Sequence, residues 1–256
     1  MTATSGPAPA AARLAGTAAL VTGGSSGIGF GLARVLVEEG AAVTIVGRNG
    51  EKLAAAAAAL RAAGGTVLEA KADLSTDDGV LGAVERHREE YGRLDVLVNN
   101  AGVCLASKAA RQERSAIDAV LDTDLRAVVL LYQAGLDLLL EAAGERGKAH
   151  VLNLASLLGR YPAPWLAVYS ATKAAVISFT QSMNRAYARR GLLSTAVCPG
   201  FVDTPMSEDA KDLSPDEMIP VDDIAELTRA ILRLSPRTYV PEILLARSRS
   251  TDPSGL

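Results

Sequence analysis

Short apolar runs alternate with longer amphipathic segments along nearly the whole chain. The strand-like runs are 18–21, 42–46, 66–70, 94–98, 150–154, 193–198 and 242–246. The helix-like segments are 28–39, 50–63, 77–91, 114–144, 165–190 and 221–234. Strands that alternate with helices of this length form a parallel sheet, because right-handed crossovers place the helices on both of its faces. The sequence therefore predicts a doubly wound α/β fold.

Length and composition favour one such domain. The chain has 256 residues, 49% of them hydrophobic, which is enough for a sizeable core, and a net charge of −3. We predict a single domain over residues 13–246, with a disordered tail at 1–12 and a flexible tail at 247–256, because both ends are rich in small and polar residues. Since no basic stripe with interleaved aromatic residues occurs, nucleic acid is not expected as a partner.

The sequence also bears on cellular location. Cys104 and Cys198 lie far apart and form no C-x-x-C motif, so we expect a reduced, cytoplasmic protein. The first twelve residues lack the basic and apolar regions of a signal peptide. The most hydrophobic run, 127–140, is interrupted by Gln133 and Asp137. Because that run is too short to span a bilayer, no membrane partner is expected.

A glycine-rich turn follows the first predicted strand. Residues 22–29 read Thr-Gly-Gly-Ser-Ser-Gly-Ile-Gly, and an apolar helical pattern begins at Ile28. Glycines allow the amides at a helix N-terminus to approach a pyrophosphate, and the helix dipole favours its negative charge. The pattern indicates a phosphate-binding turn, although a glycine-rich turn without a ligand would show the same spacing.

Polar or turn-forming residues also follow the third to the sixth predicted strands. They are Asp73, the Asn-Asn-Ala-Gly segment 99–102, Ser156 and the pair Pro199-Gly200. In parallel sheets, ligands bind beyond the carboxyl ends of the strands. Because all these residues fall at that edge, we predict a binding site there.

Tyr169 and Lys173 lie four residues apart on the predicted helix 165–190, and hence on one face of it. A phenol that exchanges a proton near neutral pH needs its pKa lowered by about three units, or about 4 kcal/mol. A cation on the same helix face supplies part of that stabilisation. The pair predicts a general acid–base group, with Ser156 thirteen residues upstream of the tyrosine.

Together these residues resemble the short-chain dehydrogenase/reductase family, over about residues 14–246. The resemblance implies a single Rossmann-like domain that transfers hydride between a nicotinamide cofactor and a carbonyl carbon. It implies that Tyr169 protonates the alkoxide, that Ser156 positions the carbonyl oxygen, and that Lys173 binds the ribose and lowers the pKa of the tyrosine. The cofactor-binding residues that it implies are Gly23, Ser25, Ser26, Gly27, Ile28, Gly29, Arg48, Asn49, Asp73, Leu74, Asn100, Ala101, Gly102, Tyr169, Lys173, Pro199, Gly200, Val202 and Thr204.

The end of the second predicted strand bears on the choice between NAD and NADP. An acidic residue there would hold the ribose 2′-hydroxyl of NAD and repel the 2′-phosphate of NADP. This strand ends in Val-Gly-Arg-Asn over 46–49, and no carboxylate occurs before Glu51. The Arg48 guanidinium offers a planar fork for a phosphate. NADP(H) is therefore expected, although Arg48 could be an ordinary surface arginine and Ser26 stands where many NADP-preferring relatives have a second basic residue.

One position departs from the family pattern. Relatives usually have an asparagine in a D-x-N-L segment that supports a helix kink, and the backbone carbonyl at this kink holds a water leading to the lysine. This chain reads Asp-Thr-Asp-Leu over 122–125. Asp124, which we include among the catalytic candidates, could pair with Lys173 and make the Tyr169 phenolate harder to form. Alternatively, Asp124 simply caps the kink.

Other polar residues do not indicate a different chemistry. His87 lies in a strongly charged segment, which predicts a solvated helix face. His150 stands just before a strand. Two isolated histidines favour neither a metal site nor a Ser-His-Asp nucleophile. Cys104 could line the site, but a small buried thiol is the expected role.

Apolar residues near the catalytic positions indicate an apolar ketone or alcohol as the substrate. They are Leu158, Tyr161, Pro162, Trp165, Phe201 and Met206. The segment 203–220 is expected to close over the substrate. One alternative is a 3-oxoacyl-carrier-protein reductase, although Asp137 and Glu141 disfavour docking of an acidic carrier. Another alternative is a non-catalytic dinucleotide-binding sensor.

The resemblance also implies a homodimer or homotetramer. The predicted helix 114–144 carries Val128, Leu131, Leu138 and Leu139 over more than one face. Because a half-exposed helix would not need so many apolar faces, we expect this helix to contact a second copy of the chain.

Overall fold

Seven strands form one sheet in the order β3-β2-β1-β4-β5-β6-β7, and every neighbouring pair is parallel. The computed structural model describes residues 13–106, 111–208, 210, 213–248 and 250. The strands are β1 (Ala18–Thr22), β2 (Ala42–Gly47), β3 (Val67–Lys71), β4 (Val96–Asn99), β5 (Ala149–Leu154), β6 (Leu192–Pro199) and β7 (Glu242–Leu245). The predicted doubly wound α/β fold is confirmed.

Helices cover both faces of this sheet. They are α1 (Gly27–Glu38), α2 (Gly50–Ala62), α3 (Asp77–Tyr91), α4 (Arg114–Leu121), α5 (Ala127–Arg146), α6 (Ala167–Tyr187) and α7 (Val221–Arg233). One core cluster joins the sheet to α1, α2 and α7, and a second joins it to α3 and α5. The central strands β1, β4 and β5 are buried at every residue, which explains their nearly continuous apolar sequences.

The two predicted tails lie mostly outside the described residues. Residues 1–12 fall outside entirely, as do residues 249 and 251–256 of the predicted tail 247–256. The described chain begins with Arg13, and the next residue, Leu14, already packs in the core.

The prediction of one uninterrupted helix over 114–144 is wrong in one respect. A π-helical turn, Asp122–Arg126, separates α4 from α5. Such a turn holds one residue more than an α-helical turn, and it is frequent at functional sites. Arg126 anchors its end, because Nη2 donates to Asp77 Oδ2 at the start of α3 over 2.8 Å.

Helix α5 is a core helix of this chain. The stretch 114–146 is long and apolar enough to cross a membrane by length and composition alone, contrary to our prediction, but half of its most apolar window is buried inside the protein. Core helices of soluble proteins can have the same length and composition. The side chains of Val128, Leu131, Leu138 and Leu139 are all buried within the single chain. They therefore give no argument for a partner, and the homo-oligomer stays a prediction.

The predicted surroundings of His87 are wrong, and His150 lies within a strand rather than just before it. His87 is fully buried, with Nδ1 2.7 Å from Thr44 Oγ1 and Nε2 2.9 Å from the carbonyl oxygen of Arg93. It shares the sheet-facing side of α3 with Val80 and Val84, which the charged flanking residues obscure in the sequence. His150 is buried inside β5, with Nε2 3.0 Å from the Thr195 hydroxyl.

Candidate active site

The glycine-rich turn between β1 and α1 has the geometry of a ligand cradle. Gly23 and Gly27 have φ values of +63° and +51°, which side chains disfavour. A Cβ on Gly29 would lie only 2.2 Å from the carbonyl oxygen of Gly23. Ser26 stands at the N-cap of α1 but makes no side-chain capping hydrogen bond. The first amides of α1 are therefore not capped by Ser26 and can receive an anion.

The segment after β4 holds this turn in place. The backbone N–H groups of Asn100 and Ala101 donate to Thr22 Oγ1 over 2.9 and 3.1 Å. Asn100 Nδ2 also donates to the carbonyl oxygens of Thr22 and Gly23 over 2.9 and 3.2 Å. The Asn-Asn-Ala-Gly motif thus ties the end of β4 to the end of β1.

A cleft of about 320 Å³ opens at the carboxyl edge of the sheet. It brings together most of the predicted site: Gly23, Ser25, Ser26, Gly27, Ile28, Arg48, Asn49, Asp73, Leu74, Asn100, Ala101, Gly102, Asp124, Tyr169, Lys173 and Thr204. Sequence analysis missed five lining residues, Val46, Gly47, Ala72, Thr123 and Pro205. Four of them adjoin a predicted residue, and Val46 lies two positions before Arg48, so extending each motif by one or two positions would have found them.

The other predicted residues do not line the cleft. Gly29 and Val202 are buried, and Gly200 donates its backbone N–H to the carbonyl oxygen of Leu245 over 2.9 Å. Ser156 is buried at the end of β5, and its hydroxyl donates to the carbonyl oxygen of Pro199 over 3.4 Å.

The end of the cleft beside β2 and β3 carries Arg48, Asn49 and Asp73. Asn49 caps α2, since its Oδ1 accepts the Lys52 backbone N–H over 3.0 Å. The pKa of the Asp73 carboxyl is lowered, chiefly by hydrogen bonds from the backbone and hydroxyl of Ser75 and to a smaller extent by the Arg48 charge. The Asp73 carboxylate is therefore stabilised mainly by Ser75. The Arg48 side chain lines the cleft and could bind an anion there.

Tyr169 and Lys173 stand one helical turn apart on α6, as predicted. Lys173 Nζ lies 5.3 Å from the centroid of the tyrosine ring. Only 4% of Lys173 is exposed, and its Nζ donates to the carbonyl oxygen of Leu154 over 3.0 Å. The same nitrogen lies 3.0 Å from Asp124 Oδ2, so the lysine charge is paired inside the protein.

Burial and charge act in opposite directions on the tyrosine. Burial raises the pKa of Tyr169 to about 12; the Lys173 charge and the Ser156 hydroxyl lower it, and the Asp124 charge raises it. Burial alone would lower the pKa of Lys173, but Asp124 and Tyr169 outweigh burial and raise it. The arrangement therefore holds a protonated phenol beside a charged lysine at neutral pH.

Residues predicted to surround the substrate divide into two groups. Leu158 is buried in the core, whereas Tyr161, Trp165 and Met206 are exposed, and Met206 also lines the cleft. Cys104 is half-buried, and burial, followed by the Asp124 charge, raises the pKa of its thiol. Within the described ranges, no group of three or more His, Cys, Asp or Glu residues could hold a metal ion.

Comparison with known proteins gives consistent matches. The sequence profile of the short chain dehydrogenase family matches residues 17–214. A 3beta-hydroxysteroid dehydrogenase of Mediterraneibacter gnavus is 37% identical over 190 residues, which are 74% of this chain and 67% of that protein. A short chain dehydrogenase from Burkholderia cenocepacia in complex with NADP superposes with a TM-score of 0.81 at 32% identity, covering 91% of this chain and 97% of that one. A 3-ketoacyl-(acyl-carrier-protein) reductase from Brucella melitensis complexed with NADH gives a TM-score of 0.81 at 30% identity, covering 91% and 96%.

Proposed function

Because the chain belongs to the short-chain dehydrogenase family and is an oxidoreductase, we propose that it uses NADP(H) to interconvert a ketone and a secondary alcohol. The observation that supports this most is the buried Lys173 beside Tyr169 at the edge of the cleft. A dinucleotide-binding protein without chemistry would not need a buried ammonium next to a phenol, since burying a charge is costly.

The residues of the cleft fit a nicotinamide dinucleotide. The uncapped start of α1 and the tight Gly23–Gly29 contact suit a pyrophosphate, because no side chain there would keep it from the amides. Arg48 lines the cleft where a ribose 2′-phosphate would be recognised, and the Burkholderia cenocepacia relative binds NADP. The NADH complex of the Brucella melitensis relative is the reason to test both cofactors.

In this proposal the chain's own residues carry out the proton transfer. A nicotinamide cofactor supplies or accepts the hydride when it is bound. Tyr169 donates its phenolic proton to the carbonyl oxygen of the ketone, and takes it back from the alcohol in the reverse direction. Ser156 donates a hydrogen bond to the same oxygen and so positions it. The Lys173 ammonium stabilises the phenolate that Tyr169 becomes.

The test is steady-state consumption of NADPH with a panel of cyclic and aromatic ketones, a sugar and a β-ketoacyl thioester. We expect turnover of the apolar ketones. Tyr169→Phe should lose nearly all turnover while NADPH binding, measured by calorimetry, stays close to that of the parent. As a control, Tyr239→Phe also removes a phenolic hydroxyl, but at an exposed position outside the cleft. It should change neither turnover nor NADPH binding. Binding of NADPH without consumption of any carbonyl compound would refute the enzyme assignment and favour a sensor.

A carrier-linked 3-oxoacyl substrate is the second candidate. It is favoured by the similarity to the Brucella melitensis reductase. It is disfavoured by the exposed Asp137 and Glu141 on α5, which would repel an acidic carrier. Turnover of the β-ketoacyl thioester well above that of the free ketones would support this second candidate.

A further inference from the structure

The Asp124 carboxylate is the part of the site that the family pattern does not explain. It lies in the middle of the π-helical turn, is 1% exposed, and its Oδ2 is 3.0 Å from Lys173 Nζ. We propose that Asp124 is a positioning residue that fixes the Lys173 ammonium and offsets part of its positive charge at Tyr169, so that the phenol keeps its proton to higher pH. The catalytic meaning of this inference rests on the proposed function.

The surroundings hold the carboxylate against the lysine from two sides. The Val103 backbone N–H donates to Asp124 Oδ1 over 2.7 Å. Gly102 gives the other oxygen room, since a Cβ there would lie 2.9 Å from Oδ2. An amide oxygen could accept the Val103 bond equally well, so that bond does not call for a charge. The contact with Lys173 is the one that distinguishes an aspartate from an asparagine.

The Lys173 ammonium has two contacts inside the protein. Its Nζ donates to the carbonyl oxygen of Leu154 over 3.0 Å and lies 3.0 Å from Asp124 Oδ2. The titratable groups whose charges act on Tyr169 within the described chain are Lys173, Asp124 and Cys104. The thiol, whose pKa is raised, is neutral at neutral pH. The balance at the phenol is therefore set by Lys173 against Asp124.

This balance has opposite consequences for the two directions of the reaction. Carbonyl reduction uses the phenol, and alcohol oxidation uses the phenolate. With an uncharged residue at position 124, the lysine charge would act on Tyr169 without compensation in a buried site, where charge interactions are strong. Asp124 thus extends carbonyl reduction to higher pH and shifts the onset of alcohol oxidation to higher pH.

The test compares the pH dependence of kcat/KM in both directions for the parent and Asp124→Asn. We expect both pH limbs to move down by about one unit or more in the variant. Asp124→Ser, which is also uncharged, should give the same shift if the asparagine variant folds poorly. Asp122→Asn removes a carboxylate from the same turn that forms no ion pair with Lys173, and it should leave both limbs in place. Superimposable limbs in the parent and both Asp124 variants would overturn the proposal.

A second readout needs no substrate. The phenolate absorbance of Tyr169 is obtained by subtracting the spectrum of Tyr169→Phe in each background. At about pH 10.5, near the ordinary pKa of tyrosine, we expect a several-fold larger signal in Asp124→Asn than in the parent. Equal signals would overturn the proposal. If the parent turns over no carbonyl compound, the proposed function fails, while this absorbance comparison still decides the role of Asp124.

Discussion

The buried imidazole of His87 should make the fold sensitive to mild acid. Its ring is fully buried, and both nitrogens are engaged: Nε2–H donates to the Arg93 carbonyl, so Nδ1 accepts from the Thr44 hydroxyl. Burial lowers the pKa of His87 to about 4, from about 6.5 in an unfolded chain. Because the folded-state pKa is the lower one, protonation of His87 favours the unfolded chain. The stability that the neutral ring allows is fully present above about pH 6.5 and is lost as the pH falls toward 4.

The size of the effect follows from the two pKa values. At about pH 5.5 the unfolded histidine is mostly protonated and the folded one hardly at all, which favours unfolding by about 1.4 kcal/mol relative to high pH. At about pH 7.5 the same difference is below about 0.1 kcal/mol. His87 alone should therefore lower the free energy of unfolding by about 1.3 kcal/mol between these pH values. His150, whose pKa burial lowers to about 3, should contribute a similar amount.

The assay is urea unfolding of the parent and His87→Gln at both pH values and one protein concentration. Glutamine is uncharged throughout and can donate to the Arg93 carbonyl. The variant should lose about 1.3 kcal/mol less than the parent when the pH is lowered, whatever its stability at pH 7.5. His150→Gln provides the parallel case in β5. An unchanged loss in His87→Gln would show that His87 can be protonated without unfolding, and the reasoning from its burial would be refuted.

Three further predictions concern the cleft and the assembly. Gly29→Ala should weaken NADPH binding at least about tenfold, because its methyl group would collide with the Gly23 carbonyl; Gly82→Ala, with open space around the new methyl, should bind NADPH like the parent in the same titration. NADPH should bind at least about tenfold more tightly than NADH, and Arg48→Ala should narrow this gap by about 1.5–3 kcal/mol in calorimetric titrations; equal affinities in the parent would contradict the NADP assignment. Light scattering at micromolar concentration should report a dimer or tetramer, as family resemblance implies, and a monomer would count against it.

Much of this fold could be predicted because each strand buried on both faces leaves a short apolar run. The candidate site residues could be assigned to one edge of the sheet because their motifs follow those runs closely: Asn100 comes directly after β4, and Ser156 is two residues beyond the end of β5. Two features could not be predicted in this way. The π-helical turn adds one residue without disturbing the apolar pattern on either side. The charged neighbours of His87 hide that it shares a helix face with Val80 and Val84.

The contact between Asp124 and Lys173 also could not be decided from the sequence. An aspartate at this position could cap the helix kink with or without a contact to the lysine, and the sequence would be the same in both cases. Only the approach permitted by Gly102 brings the carboxylate to 3.0 Å from the ammonium. Distances of this kind depend on three segments that are distant in sequence.

The π-helical turn makes this part of the chain sensitive to insertions and deletions as well as to substitutions. Each residue of a helix adds about 100° of rotation, so removing one residue from the turn would rotate α4 by that angle relative to α5. Asp124 faces Lys173 on α6, while Arg126 faces Asp77 on α3. A turn shortened to α-helical geometry could not keep both contacts. The length of the segment 122–126 is thus under as strong a constraint as its chemistry.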